Sequence, residues 1–163
     1  MTAHHAGPRR SAAEQARLDA AIKQLFEEAI TFNVTLGVEV LDCSPGAARL
    51  RIPMQPAFVG HFLYGRLHGG VISATLDNAG ALGLMCALGE KFNDETSEQI
   101  MARFSRMGTI DLRVDYLRPG LGAHFIASAS VTRLGGRVGS TQMALHNDAG
   151  LLIATAAGAY VVA

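Results

Sequence analysis

The stretch Leu67-His68-Gly69-Gly70-Val71-Ile72-Ser73-Ala74-Thr75-Leu76-Asp77-Asn78 decides the fold, and it runs on almost without polar interruption to Leu88. A segment apolar on every side is either a membrane span or a helix that a fold encloses. Asp77, Asn78 and the internal glycines argue against a span, although roughly 20 apolar residues would suffice for one. The small residues Ser73, Ala74, Ala79, Gly80, Ala81 and Gly83 let surrounding backbone approach closely, which suits a helix in the middle of a sheet. One carboxylate, Asp77, stands in this apolar run, and an ionised group there carries a desolvation cost unless it is paired. Catalysis is the functional reason for it; the alternative is a helix carboxylate held by a neighbouring hydroxyl.

Working outward, Ser11 and Glu14 have capping-box spacing, and Leu18, Ile22, Leu25, Phe26, Ala29 and Ile30 then recur at helical period. This predicts an amphipathic N-terminal helix. Extended runs follow at 36–41 and 48–52, parted by Ser44-Pro45-Gly46 and closed by Pro53 and Pro56. A loop at 58–67 leads into the apolar helix. Beyond it, Thr96 and Gln99 cap a short helix whose Ile100, Met101, Phe104 and Met107 share one side, either as core packing or as a lid. Ile110, Leu112, Val114 and Tyr116 alternate with Asp111, Arg113 and Asp115, a strand with its polar residues turned from the core. Runs at 123–134, 137–146 and 151–162 are joined by Gly135-Gly136 and Asn147-Asp148-Ala149-Gly150, both hairpin connectors. Long strands joined by tight turns, with one enclosed helix, make an α+β architecture: an antiparallel sheet wrapped around a central apolar helix.

Composition narrows the function. The chain of 163 residues fits one domain, read as 11–163 behind a disordered tail at 1–10. Fourteen basic residues balance fourteen acidic ones, so neither nucleic acid nor an anionic membrane is an indicated partner. Arg9-Arg10 is followed by polar residues and does not open an export signal, and Cys43 and Cys86 read as separate thiols, which together predict a reducing, cytoplasmic setting. Their spacing matches no metal site, and His4 and His5 are not read as ligands, so no metal is expected.

His68-Gly69-Gly70-Val71 with Asp77, followed by Gly108-Thr109-Ile110-Asp111-Leu112-Arg113-Val114-Asp115-Tyr116-Leu117-Arg118-Pro119-Gly120, resembles the hotdog-fold acyl-CoA thioesterases of the PaaI-like family. The longer string from Ser105 resembles the YigI-type subgroup, medium- and long-chain acyl-CoA thioesterases. The resemblance covers the chain from about Phe32 onward. It implies a hotdog fold, hydrolysis of an acyl-CoA without metal or organic cofactor, and coenzyme A as part of the substrate. It implies Asp77 as general base or nucleophile, the Gly69 N–H as oxyanion donor, Thr109 as the hydroxyl that orients water beside the Asp, and His68 as a residue that holds the loop or meets the substrate. Gly70, Asn78 and Phe62 would contact substrate, and the guanidinium groups of Arg118, Arg133 and Arg137 suit the phosphates of coenzyme A. Where relatives carry Asn ahead of His-Gly-Gly, this chain has His61; an imidazole can donate one hydrogen bond to a carbonyl or water and, unlike an amide, can change charge.

Geometry adds one requirement. Asp77 lies eight residues beyond Gly69, about 12 Å along a helix, too far for both to grip one carbonyl. The resemblance implies a homodimer in which Asp77 of one chain faces Gly69 and His68 of the other, with pairing into a homotetramer left open. An enoyl-CoA hydratase or dehydratase using His61 and His68, and an acyl-CoA binding module without turnover, are the rival readings.

Overall fold

The apolar segment forms one 23-residue helix, and every other element is placed around it. A computed structural model of the chain describes residues 9–44 and 46–162; the tail reading for 1–8 and Pro45 of the predicted turn lie outside the described residues. The helices are α1 (Ala12–Gln24), α2 (Thr31–Leu36), α3 (Gly69–Lys91) and α4 (Ser97–Phe104). The strands are β1 (Glu39–Asp42), β2 (Ala48–Pro53), β3 (Val59–His61), β4 (Arg66–Leu67), β5 (Gly108–Tyr116), β6 (His124–Leu134), β7 (Val138–Asn147) and β8 (Leu152–Val161). Six of them form one antiparallel sheet in the order β1-β2-β6-β7-β8-β5, which leaves β5 as an edge.

Period-2 patterning puts one sheet face on α3. Ala48, Leu50 and Ile52 of β2 point in while Arg49, Arg51 and Pro53 point out. Phe125 and Ala127 of β6, Leu145 of β7 and Ile153 of β8 join them against Leu76, Leu82 and Met85. Each such leucine contributes roughly 1.5–3 kcal/mol on full burial, so α3 is held by packing. By length and composition α3 could cross a membrane, but it is the core helix here. Its remaining face, with Gly70, Ser73, Ala74, Asp77, Asn78 and Ala81 at helical spacing, is only partly covered.

The N-terminal helix departs from expectation. After α1, Leu25–Ala29 form a π-helical turn, and the inserted residue rotates Ala29 out of the predicted stripe to the surface. Leu36 then ends a short helix, closed by Gly37 at φ 66°, and does not begin a strand. The predicted loop before α3 contains the β3–β4 hairpin. Arg10, assigned to the tail, instead donates its guanidinium to the carbonyls of Gly89, in the last turn of α3, and of Phe92 and Glu95 in the loop after it. The Thr96–Gln99 capping box is complete, and Ile100 of α4 is fully buried with Met101, Phe104 and Met107 packed on the core, so α4 covers the core.

The box at Ser11 is only half formed. Ser11 Oγ accepts from the Glu14 N–H, but Glu14 turns to α4 and accepts from both Ser97 N–H and Ser97 Oγ at 2.8 Å. Those bonds, the backbone one foremost, hold the Glu14 carboxyl below the usual glutamate range. A lowered folded pKa gives stability that is present above the unfolded value and lost as pH falls through the folded one. Glu14→Gln is therefore expected to lower the melting temperature at neutral pH and to make its decline below about pH 4 shallower; thermal melts across pH check both.

Cys43 and Cys86 are a disulfide, with Cα atoms 5.7 Å apart, and this corrects the reading of two separate thiols. The bond ties the end of β1 to α3 across 43 residues of sequence. It also removes the observation on which the reducing compartment rested.

Candidate active site

Two groups of side chains gather at different points along α3. At its start, His68 is the N-cap, and its Nδ1 accepts from the Gly70 N–H at 2.8 Å. An accepting Nδ1 assigns the proton to Nε2 in a neutral ring. The His68 carbonyl accepts from the N–H groups of Val71 and Ile72. Among the described residues, the Gly69 N–H donates to nothing. Of the donors that a helix start leaves unpaired, one remains open, at the positive end of the dipole. It is the donor that the sequence assigned to an oxyanion. Gly60 lies beside this point, where a side chain would stand 2.7 Å from His68 Cα.

About two turns on is Asp77, half-buried. Thr109 Oγ1 donates to its Oδ1 at 3.0 Å. The sequence pairing of Asp77 with Thr109 is thus a contact in space, reached through an irregularity that alternation does not anticipate. Thr109 pairs with Tyr160 on β8 while Asp111 pairs with the next residue back, Ala159, so Ile110 is a one-residue bulge. In a regular strand Thr109 would share the face of Asp111; the bulge returns it to the face of Leu112 and Val114, toward α3. Ile110 accordingly stands 56% exposed, against the expectation that it enters the core. Thr109→Val, which keeps shape and removes the donor, is expected to reduce turnover about tenfold, on the scale of one hydrogen bond to a charged group, and Thr109→Ser to restore most of it; steady-state rates of both check the role.

Tyr160, the cross-strand neighbour of Thr109, is fully buried and donates its hydroxyl to the Asp77 main-chain carbonyl at 3.3 Å. Burial first, and the Asp77 charge second, raise its pKa well above the usual tyrosine value, so it stays a neutral donor. Gly80 makes the room: a Cβ there would lie 2.2 Å from the Tyr160 oxygen. At the other end of β5, the Tyr116 hydroxyl donates to the Gly69 carbonyl at 3.1 Å. Sequence reading missed both tyrosines. Tyr116 was assigned to the core by alternation, and nothing local marks Tyr160.

The other candidates are dispersed. Asn78 turns its amide N–H back on the Ala74 carbonyl of its own helix. His61 stacks on Phe62 and leans on Tyr64, with ring centroids 5.7 and 4.8 Å away, at the tip of the β3–β4 hairpin, and no hydrogen bond joins it to Asp77 or His68. Phe62 is 86% exposed. Arg118 donates to the Leu152 carbonyl, and the exposed Arg137 and Arg133 make no ion pair with a described residue. A cleft of about 700 Å³, lined by Leu18, Asp19, Cys43 and Cys86 among others, includes neither half of the site. Among the described residues no group of three or more His, Cys, Asp or Glu could hold a metal ion.

Residues 64–154, more than half of the chain, match the Thioesterase superfamily model. The chain belongs to that superfamily. Proteins similar to it include the medium/long-chain acyl-CoA thioesterase YigI of Escherichia coli K12, 41% identical over 143 residues that span 86% of this chain and 91% of YigI. A crystal structure from Shewanella oneidensis, described as related to the thioesterase superfamily, superposes with a TM-score of 0.88 at 36% identity, covering 94% of this chain and all of that one. A mutant of the phenylacetic acid degradation protein PaaI of Thermus thermophilus gives 0.64 at 25% identity, over 82% and 99%. The hotdog architecture expected from the sequence is the thioesterase-superfamily fold that the chain adopts.

Proposed function

We propose that the protein hydrolyses medium- and long-chain acyl-CoA thioesters in a site shared by two copies of the chain. The observation that carries this is the pair of half-sites on α3: an open Gly69 N–H at its start, and an Asp77 carboxylate held by Thr109 about 12 Å away. Each half lacks what the other has. Similarity to YigI supports the substrate class.

The edge strand supplies the geometry for joining them. One side of β5 has an unpaired row of N–H and C=O groups, a template for another strand. In an isologous dimer the two copies of β5 run antiparallel, so the Thr109 end of one meets the Tyr116 end of the other. Thr109 carries Asp77 and Tyr116 contacts Gly69, so this pairing brings Asp77 toward the partner subunit's Gly69, twice per dimer. The partly covered face of α3, lined by Gly70, Ser73, Ala74 and Asp77, lies on the same side of the chemistry.

The thioester oxygen accepts from the Gly69 N–H while the carbonyl carbon faces Asp77 of the other chain. Asp77 either takes a proton from water, which attacks the carbon, or attacks directly to form an anhydride that water opens. In both routes the C–S bond breaks, the proton from water passes to the coenzyme A thiolate, and a free acid leaves. The groups required are a carboxylate, a hydroxyl, a backbone donor and water, with coenzyme A entering as part of the substrate and no separate cofactor. An acyl-CoA substrate supports a cytoplasmic setting. The hydratase reading needs His61 or His68 beside a carboxylate; within the chain His68 Nδ1 accepts from the Gly70 N–H, and His61 sits in an aromatic cluster with Phe62 and Tyr64, away from Asp77.

Free-thiol release from acetyl-, benzoyl-, octanoyl- and palmitoyl-CoA tests the assignment. Octanoyl- and palmitoyl-CoA are expected to turn over faster than the other two. Saturable binding of all four with no thiol released, by folded dimeric protein, would overturn it.

A further inference from the structure

We propose that Tyr116 is a positioning residue for the oxyanion donor: its hydroxyl, by holding the Gly69 carbonyl, fixes the direction in which the Gly69 N–H points. The proposal rests on the reading of the site given above.

Gly69 and Gly70 are consecutive glycines at the start of a helix, where the chain has the most conformational freedom and helices fray. A donor on such a segment is useful in catalysis only if its direction is fixed before the charge develops. The peptide between the two glycines is pinned at both ends. Its N–H, from Gly70, goes to His68 Nδ1 at 2.8 Å, and its C=O, from Gly69, accepts from Tyr116 at 3.1 Å. The Gly69 N–H itself lies on the preceding peptide, whose His68 carbonyl accepts from the Val71 and Ile72 N–H groups; with the following plane held as well, rotation about Gly69 is restricted on both sides and its N–H stays open.

Tyr116 is built for this use. It is the last residue of β5, paired with Ala154, and the next two N–H groups, of Leu117 and Arg118, both donate to the Ile153 carbonyl. Its backbone is thus fixed to the strand end, and its side chain has only two rotatable bonds. The ring is 56% exposed in the chain, so burial does not account for it. Among the described residues, the hydroxyl's one hydrogen bond is to the Gly69 carbonyl. Glycine at 69 suits the contact, since a Cβ there would stand 3.4 Å from the ring.

Tyr116→Phe removes the hydroxyl and keeps the ring. On octanoyl-CoA the expected result is a roughly tenfold fall in kcat with KM within about twofold and an unchanged melting temperature, as for loss of an interaction made only in the transition state. The decisive comparison repeats the change in a Gly69→Pro background, where the donor N–H no longer exists. There Tyr116→Phe should cost nothing further, because residues acting through one group are non-additive. No change in kcat in the parent protein would overturn the proposal, and so would an equal loss in both backgrounds. Full activity of Gly69→Pro alone would instead overturn the assignment of Gly69, which separates the two failures.

Discussion

Asp77→Asn is expected to lower turnover of octanoyl-CoA by roughly 10² to 10⁴ while leaving the fold intact. Asparagine keeps the shape of the side chain and an Oδ1 that accepts from Thr109 Oγ1, so the 3.0 Å contact survives. Its amide nitrogen neither takes a proton from water nor attacks a carbonyl. Tyr160 and Gly80 act on the main chain at this position and are indifferent to the change. The melting temperature should hold or rise slightly, because a partly desolvated charge is removed. Steady-state rates beside a thermal melt read both effects, and a rate within a factor of two of the parent would remove Asp77 from the mechanism.

Gly69→Pro is the sharper substitution at the other half-site. Proline is favoured at the first helical position because its missing N–H has no intrahelical partner there. His68, in the preceding position, already has φ −65° and ψ 138°, the extended conformation that a following proline demands. The ring therefore fits the backbone while deleting the single N–H assigned to the oxyanion and filling its place. Removal of one such donor costs about 10² to 10³ in kcat. The variant should melt near the parent temperature and lose activity on that scale; retention of activity would show that the carbonyl is bound elsewhere.

Much of this was legible in the chain. An all-round apolar run specifies an enclosed helix, and α3 is that helix. Period-2 runs bounded by glycine-containing turns became β6, β7 and β8 within a residue or two. The Thr96–Gln99 box was readable because capping is local. What could not be read depends on a partner distant in sequence. The bulge at Ile110 exists only relative to the register of β8, and without it Thr109 points away from Asp77. The Cys43–Cys86 bridge closes a 43-residue separation that spacing rules do not reach. Glu14 fits a local capping box, yet Ser97 offers it two donors where Ser11 offers one, and the distant bonds win. Gly80 looks like one more small residue until Tyr160 is seen beneath it. Of the candidate residues, Gly69 and Asp77 lie where helix position puts them, at the start of α3 and about two turns on, whereas Arg118, Asn78 and His61 make local contacts that their residue types left open.

The most direct test of the shared site is subunit complementation. Asp77→Asn and Gly69→Pro proteins, each nearly inactive, are unfolded together, refolded as a mixture and assayed for thiol release from octanoyl-CoA. In a mixed dimer one site has both defects and the other has neither, so with random pairing about a quarter of the parent activity should return. If mixed dimers form and no activity returns, Asp77 and Gly69 do not act across two chains, and the account of a site completed by a second copy is wrong.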